Sequence, residues 1–288
     1  MRTLFATFIF LVVAGSVVFG ATVRPTLHRQ RKGRPMNNQS EPNQPEGIKD
    51  LTIKVVYDNN PYAAELGTAW GFSAFVSGPE KTILFDTGGK GQLLLNNMKK
   101  LSIDPNSVDV VVLSHIHGDH TGGLRDFLQI NPNVTVYVPE SFPKRFKQGV
   151  QEYGAKIIEV EGPLKICQNV HSTGQLGRLI REQSLIIHTQ KGLIVMTGCA
   201  HPGIVKIVDT ARNLISDDIL FVMGGFHLEW ATTGKIEKII STLKGWNVKY
   251  AGPCHCSGHK ARTLFEKHFG KNYIKIGVGK TITLADLE

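Results

Sequence analysis

His115-Ile116-His117-Gly118-Asp119-His120 places four metal-capable side chains within six residues, directly after the apolar run Val110-Val111-Val112-Leu113. Such a run reads as a buried strand, and the Thr121-Gly122-Gly123 that follows reads as a tight turn into a helix. The motif therefore falls on a strand-to-helix loop, where functional groups are usually carried. In extended backbone His115 and His117 are alternate residues and point to one side. Asp119 and His120 come after a turn at Gly118 and face a second position close by. Two metal ions sharing a bridging water suit that layout, and a metal lowers the pKa of such a water toward ~7.

Three other apolar runs end in the same chemistry: Thr197-Gly198-Cys199-Ala200-His201, Gly224-Gly225-Phe226-His227 and Pro253-Cys254-His255. Asp86 terminates a further strand at Phe85-Asp86-Thr87-Gly88. Six of the 11 histidines lie on these loops. Ligands gather at strand ends in α/β sheets. Imidazoles with one carboxylate suit zinc, iron or manganese, whereas structural zinc would be richer in thiolate. The four cysteines, Cys167, Cys199, Cys254 and Cys256, form no regular disulfide framework. Three of them sit beside suspected ligand histidines, as free thiols near a metal would.

Asp86 is expected to stand behind the ligands and orient an imidazole, its blander role being a cap for the Thr87-Gly88 amides. Cys199 reads as a ligand, a bridging thiolate or a small residue that fits. His227 reads as a catalytic group that touches the substrate or its oxyanion, with metal ligation and a satisfied structural histidine as the alternatives, and Asp119 as both ligand and catalytic group. His171, His188, His259 and His268 receive no role.

The elements that position these loops are legible as alternating strands and helices. Strands are predicted over 51–57, 71–76, 81–85, 108–113, 134–138, 156–160, 184–189, 193–197, 219–223, 248–250, 273–276 and 281–284. Helices are predicted over 93–101, 124–130, 141–152, 204–213 and 235–243, with a last one running from a Ser257 cap to Phe269. Each half opens with strands and continues in strand–helix units. Two such halves stacked predict a four-layer αββα sandwich, sheets inside and helices outside, in one domain over residues 51–288.

The basic charge is uneven: residues 1–50 carry seven of the 33 Lys and Arg but three of the 24 acids. The folded part is thus mildly basic, which suits a small anionic substrate, and no aromatic–basic interleaving points to nucleic acid. Leu4 to Gly20 is an apolar run that reads as a secretory signal or an uncleaved anchor over residues 1–21. The chain is expected to be membrane-associated or exported through it. Residues 22–50, rich in Pro, Asn, Gln and Arg, read as a disordered basic linker.

With these residues in view, the chain resembles the metallo-β-lactamase superfamily, whose hallmark H-x-H-x-D-H is matched completely by His115 to His120. It is similar in particular to the group that includes the dihydropterin–ribofuranosylaminobenzene 5'-phosphate synthases. The further marks are Phe85-Asp86-Thr87-Gly88, Glu182-Gln183-Ser184-Leu185, Thr197 to Gly203, Gly225-Phe226-His227-Leu228 and His255-Cys256-Ser257-Gly258. The resemblance implies His115, His117 and His201 at one divalent metal and Asp119, His120 and His255 at another, zinc foremost. It also implies a bridging Asp where this chain has Cys199, and a histidine beside Gly71 where this chain has Trp70. The activity it implies is a hydrolase in which metal-bound hydroxide attacks a phosphoester, ester or lactone while His227 donates to the substrate. Two alternatives are a pterin-linked synthase releasing pyrophosphate and a metal- or ligand-binding sensor without turnover.

Overall fold

The central strands are apolar at almost every position, which predicts burial on both faces. In a computed structural model, which describes residues 47–288, alternate residues of these strands do enter different cores. Ile83, Phe85, Val110 and Val112 face one core, and Leu84 and Val111 between them face another. Ile194, Met196, Phe221 and Met223 enter the first of these cores from the other side, while Val195 and Val222 point away into a third.

The first half runs β1 (Thr52–Asp58), β2 (Phe72–Ser77), β3 (Ile83–Phe85), α1 (Gly91–Lys100), β4 (Val110–Val112), α2 (Gly118–Thr121), α3 (Leu124–Ile130), β5 (Thr135–Pro139), α4 (Lys144–Glu152) and β6 (Lys156–Val160). The second runs β7 (Leu164–Cys167), β8 (Val170–Ser172), β9 (Leu185–Thr189), β10 (Gly192–Thr197), α5 (Ile204–Leu214), β11 (Ile219–Gly225), α6 (Thr233–Gly245), β12 (Tyr250–Cys254), α7 (Gly258–Phe269) and β13 (Thr281–Thr283). One sheet has the order β13-β1-β2-β3-β4-β5-β6 and the other β12-β11-β10-β9-β8-β7. Strands β3 to β6 are parallel, as are β10 to β12; the remaining pairings are antiparallel.

Helices α1, α3 and α4 cover the outer face of the first sheet through Leu94, Met98, Phe127, Leu128 and Val150. Helices α5, α6 and α7 cover the second through Ile207, Ile240 and Phe265. The architecture is the expected αββα sandwich. Its last strand, β13, crosses back to pair with β1, Thr283 opposite Thr52.

Four local expectations are corrected. The β7–β8 hairpin has no counterpart in the predicted strands. Residues 273–276 form no strand; Tyr273 makes only an isolated bridge to Ala251. The Ser257 hydroxyl does not cap α7, because it accepts the Phe226 N–H at 3.0 Å instead. Ile48, within the expected linker, is buried and pairs with the 188–190 backbone, so the folded body starts earlier than residue 51. The expected signal or anchor over 1–21 and linker residues 22–46 lie outside the described residues. Among the described residues no helix is long and apolar enough to cross a membrane.

Candidate metal centre

Parallel neighbours present their C-terminal ends on one edge, so β3 and β4 deliver Asp86 and the 115–120 loop side by side. Strands β10, β11 and β12 likewise deliver His201, His227 and His255. The backbone turns sharply to aim these groups. Asp86, Ala200, His227 and His255 all have left-handed φ, between 47° and 57°, although none is glycine. Each such residue costs about 1–3 kcal/mol, and strain of this kind collects at functional sites.

Two clusters of donor atoms result. His115, His117 and His201 form one; Asp119, His120, Cys199 and His255 form the other, and within each the donor atoms lie within 4.8 Å of one another. In the first, His115 Nε2 approaches His117 Nδ1 to 3.1 Å. His201 Nε2 is buried with no hydrogen-bond partner among the described residues. In the second, His120 Nε2 and His255 Nε2 face each other at 3.3 Å, with Cys199 Sγ 3.2 Å from the former and Asp119 Oδ2 3.2 Å from the latter. Burial and the neighbouring imidazoles hold His115 well below its ordinary pKa, and burial with the charges of His227 and His117 brings His201 down to about 4. Burial works to raise Asp119, but the neighbouring His255 and His120 imidazoles outweigh this and hold it low. At neutral pH all three present lone pairs.

Buried polar groups behind the clusters fix their orientation. Asp86 Oδ2 accepts from His120 Nδ1 and from Ser114 Oγ, each at 2.7 Å, and its Oδ1 accepts the Ser114 N–H at 2.7 Å. Ser114 Oγ in turn meets His115 Nδ1 at 2.9 Å, so one carboxylate aligns an imidazole in each cluster. Burial lowers the pKa of His120, but Asp86 overrides it and raises the value, making this imidazole a more basic donor. Asn59, at the end of β1, does the same for His255, with Oδ1 2.9 Å from Nδ1. Glu182 is fully buried and accepts from Thr197 Oγ1 and the N–H groups of Cys199, Ala200 and His201, at 2.8–2.9 Å. It clamps the loop that carries His201.

The two sheets touch where Gly198 meets Ser114. A Cβ at Gly198 would lie 2.1 Å from Ser114 Oγ and 2.9 Å from Asp86 Oδ2. Gly198→Ala is therefore expected to lower stability by about 1–3 kcal/mol, as overpacking does. Urea unfolding measures this, and a wild-type midpoint would show that the contact yields freely.

His227 lies outside both clusters, but its ring is 4.5 Å from that of His201. It forms a third group with Cys199 and Cys256, and a hydrogen bond that its imidazole donates to the Cys256 sulfur is foremost in raising its pKa. All four cysteines are free and buried. Ser114, Asn59, Glu182 and Cys256 complete the centre; of these the sequence points only to Cys256, as a free thiol beside a ligand histidine. Glu182 was visible only as part of a motif.

A fold of this kind with these loops points to a class: the chain resembles the metallo-β-lactamase superfamily, whose family model matches residues 71–197. That match spans His115 to His120 and stops short of His201, His227 and His255. More particularly, the chain is 29% identical to a 7,8-dihydropterin-6-methyl-4-(β-D-ribofuranosyl)-aminobenzene-5'-phosphate synthase of Methanocaldococcus jannaschii, over 82% of this chain and 97% of that protein. It superposes on a metal-dependent hydrolase of the β-lactamase superfamily with a TM-score of 0.69 at 27% identity, over 81% of this chain and 98% of that one. The metallo-β-lactamase fold protein YhfI of Bacillus subtilis shares the fold, with a TM-score of 0.62 at 14% identity, over 81% of this chain and 99% of that one.

Proposed function

We propose that this chain is a metal-dependent hydrolase of a small anionic phosphoester, ester or lactone. The observation that carries the reading is the facing pair of lone-pair clusters. Nδ1 of His120 points at a carboxylate oxygen and Nδ1 of His255 at an amide oxygen, so each carries the ring proton there. Their Nε2 lone pairs then face each other at 3.3 Å. Cys199 and Asp119 add two more electron-rich atoms. Such a set is repulsive unless a cation lies within it, and the unpartnered His201 Nε2 makes the same demand of the other cluster. The donors therefore fit divalent metal, with His115, His117 and His201 holding one ion and Asp119, His120 and His255 the other; imidazole and carboxylate favour zinc, iron or manganese.

Divalent ions held there would acidify a water and offset negative charge on substrate oxygens. The remaining work falls to side chains. Asp119 accepts a proton from the attacking water at its carboxylate. His227, whose pKa is raised foremost by its hydrogen bond to Cys256, donates to the developing oxyanion or leaving oxygen. Asp86, Ser114, Asn59 and Glu182 keep the donors aimed.

Metal content of the purified full-length protein, before and after chelation, tests the reading alongside a screen of phosphoesters, lactones and thioesters with zinc, manganese and iron. Metal near two equivalents and turnover lost in His115→Ala are expected. Metal no higher than in His115→Ala, or turnover that survives the substitution, would sink it.

A second reading draws on the 29% identity to the methanogen synthase, which extends over nearly that whole protein. In it the same donors activate a pyrophosphate leaving group while a dihydropterin is joined to a ribosylated aminobenzene phosphate. Release of pyrophosphate from a dihydropterin pyrophosphate supports it, and none released in the partner's presence removes it.

A further inference from the structure

A cavity of about 360 Å³ opens beside the centre, lined by Trp70, His227, Glu229, Trp230, Lys235 and Cys256. Its volume falls in the range of small-molecule sites. Two of its lining residues abut the donor clusters. The Trp70 ring lies 4.8 Å from the His255 ring, and His227 lies 4.5 Å from His201. Two of the three tryptophans of the chain are on this one wall. Trp230 is 92% exposed and Trp70 49% exposed, whereas Trp246, elsewhere, is covered by Arg212. Trp230 is held out on a turn anchored by buried Phe226 and Leu228, so its exposure does not come from a loose terminus. Among the described residues, the side chains of Glu229 and Lys235 form no ion pair or hydrogen bond.

We propose that this cavity is a subsite for a flat aromatic or heteroaromatic ring bearing an acidic substituent. The indoles of Trp70 and Trp230 supply stacking faces, which are the large apolar surfaces that water now covers. Lys235 takes the acidic substituent, and Glu229 accepts from ring N–H groups. His227 separates the cavity from the donor clusters, so the ring lies on one side of it and the scissile group on the other. That last placement, and only that, rests on the hydrolase reading. An aliphatic substrate would leave both indole faces without a matching surface, and a ring with no charge would leave Lys235 unanswered.

The probes are 1-naphthyl phosphate and decahydro-1-naphthyl phosphate, which match in charge and approximate size and differ in flatness. Binding to the chelator-treated full-length protein is measured by calorimetry, and turnover is measured after metal loading. The aromatic probe is expected to bind about tenfold more tightly. Trp230→Ala removes most of that preference, and its exposed side chain makes a folding defect no explanation. Lys235→Met weakens both probes alike, whereas Trp246→Phe preserves the preference. Equal binding of the two probes, or a preference that survives in Trp70→Ala/Trp230→Ala, overturns the subsite. Turnover without ring preference leaves the hydrolase standing and removes the subsite; ring preference without turnover of any ester does the reverse.

Discussion

Asp86→Ala is expected to lower metal affinity at both clusters by about 10–100-fold and stability by about 2–6 kcal/mol. The breadth of the effect follows from one carboxylate serving two imidazoles, His120 directly and His115 through Ser114. Alanine leaves the Ser114 N–H and His120 Nδ1 buried without acceptors, each costing about 1–3 kcal/mol. Asp86→Asn separates the two consequences. Its shape is retained, and one oxygen still accepts the Ser114 N–H, so the stability loss is smaller. Its NH2 group, however, faces His120 Nδ1 and donates there. The imidazole then carries its proton on Nε2, the atom that points into the second cluster, and can no longer bind metal. Metal stoichiometry and thermal unfolding of the two variants check this. A folded Asp86→Asn protein with the full complement of metal would refute the tautomer argument.

The parts of this chain legible in its sequence are those encoded locally. Runs such as Val110-Val111-Val112-Leu113 announce buried strands because both faces are covered, and the histidines at their ends announce a site because strand ends converge. Asp86 was legible for the same reason. Ser114, Asn59 and Glu182 were not, since what they do is defined by partners far along the chain; Asn59 meets His255 across 196 residues. Ser257 shows the converse failure. Its position before a helix reads as a cap, but a distant N–H on Phe226 competes for the same hydroxyl and wins. The β7–β8 hairpin escapes a sequence reading because both strands are short and β7 is the sheet edge, with Lys165 exposed and Leu164 and Ile166 only half-buried, so the apolar pattern is weak.

Glu182→Ala is expected to be the more destabilising change, costing at least about 3 kcal/mol, because three backbone N–H groups and a hydroxyl lose one shared acceptor. These donors sit on the turn where Ala200 is held at φ 57°, a conformation that needs the surrounding bonds to persist. Released, the turn relaxes and carries His201 away from His115 and His117. The second cluster keeps Asp119, His120 and His255, which are anchored elsewhere, so metal is expected to fall by about one equivalent rather than two. Glu182→Gln sharpens the point. Three of the four donors converge on Oε1, and an amide oxygen there satisfies them. The amide nitrogen is then left against the His201 N–H, donor against donor, at the one contact that aims the ligand. Glutamine should thus recover most of the stability and little of the affinity of the first cluster. Equilibrium unfolding paired with metal titration separates the two effects. Equal loss from both clusters would mean that Glu182 supports the whole centre rather than one loop of it.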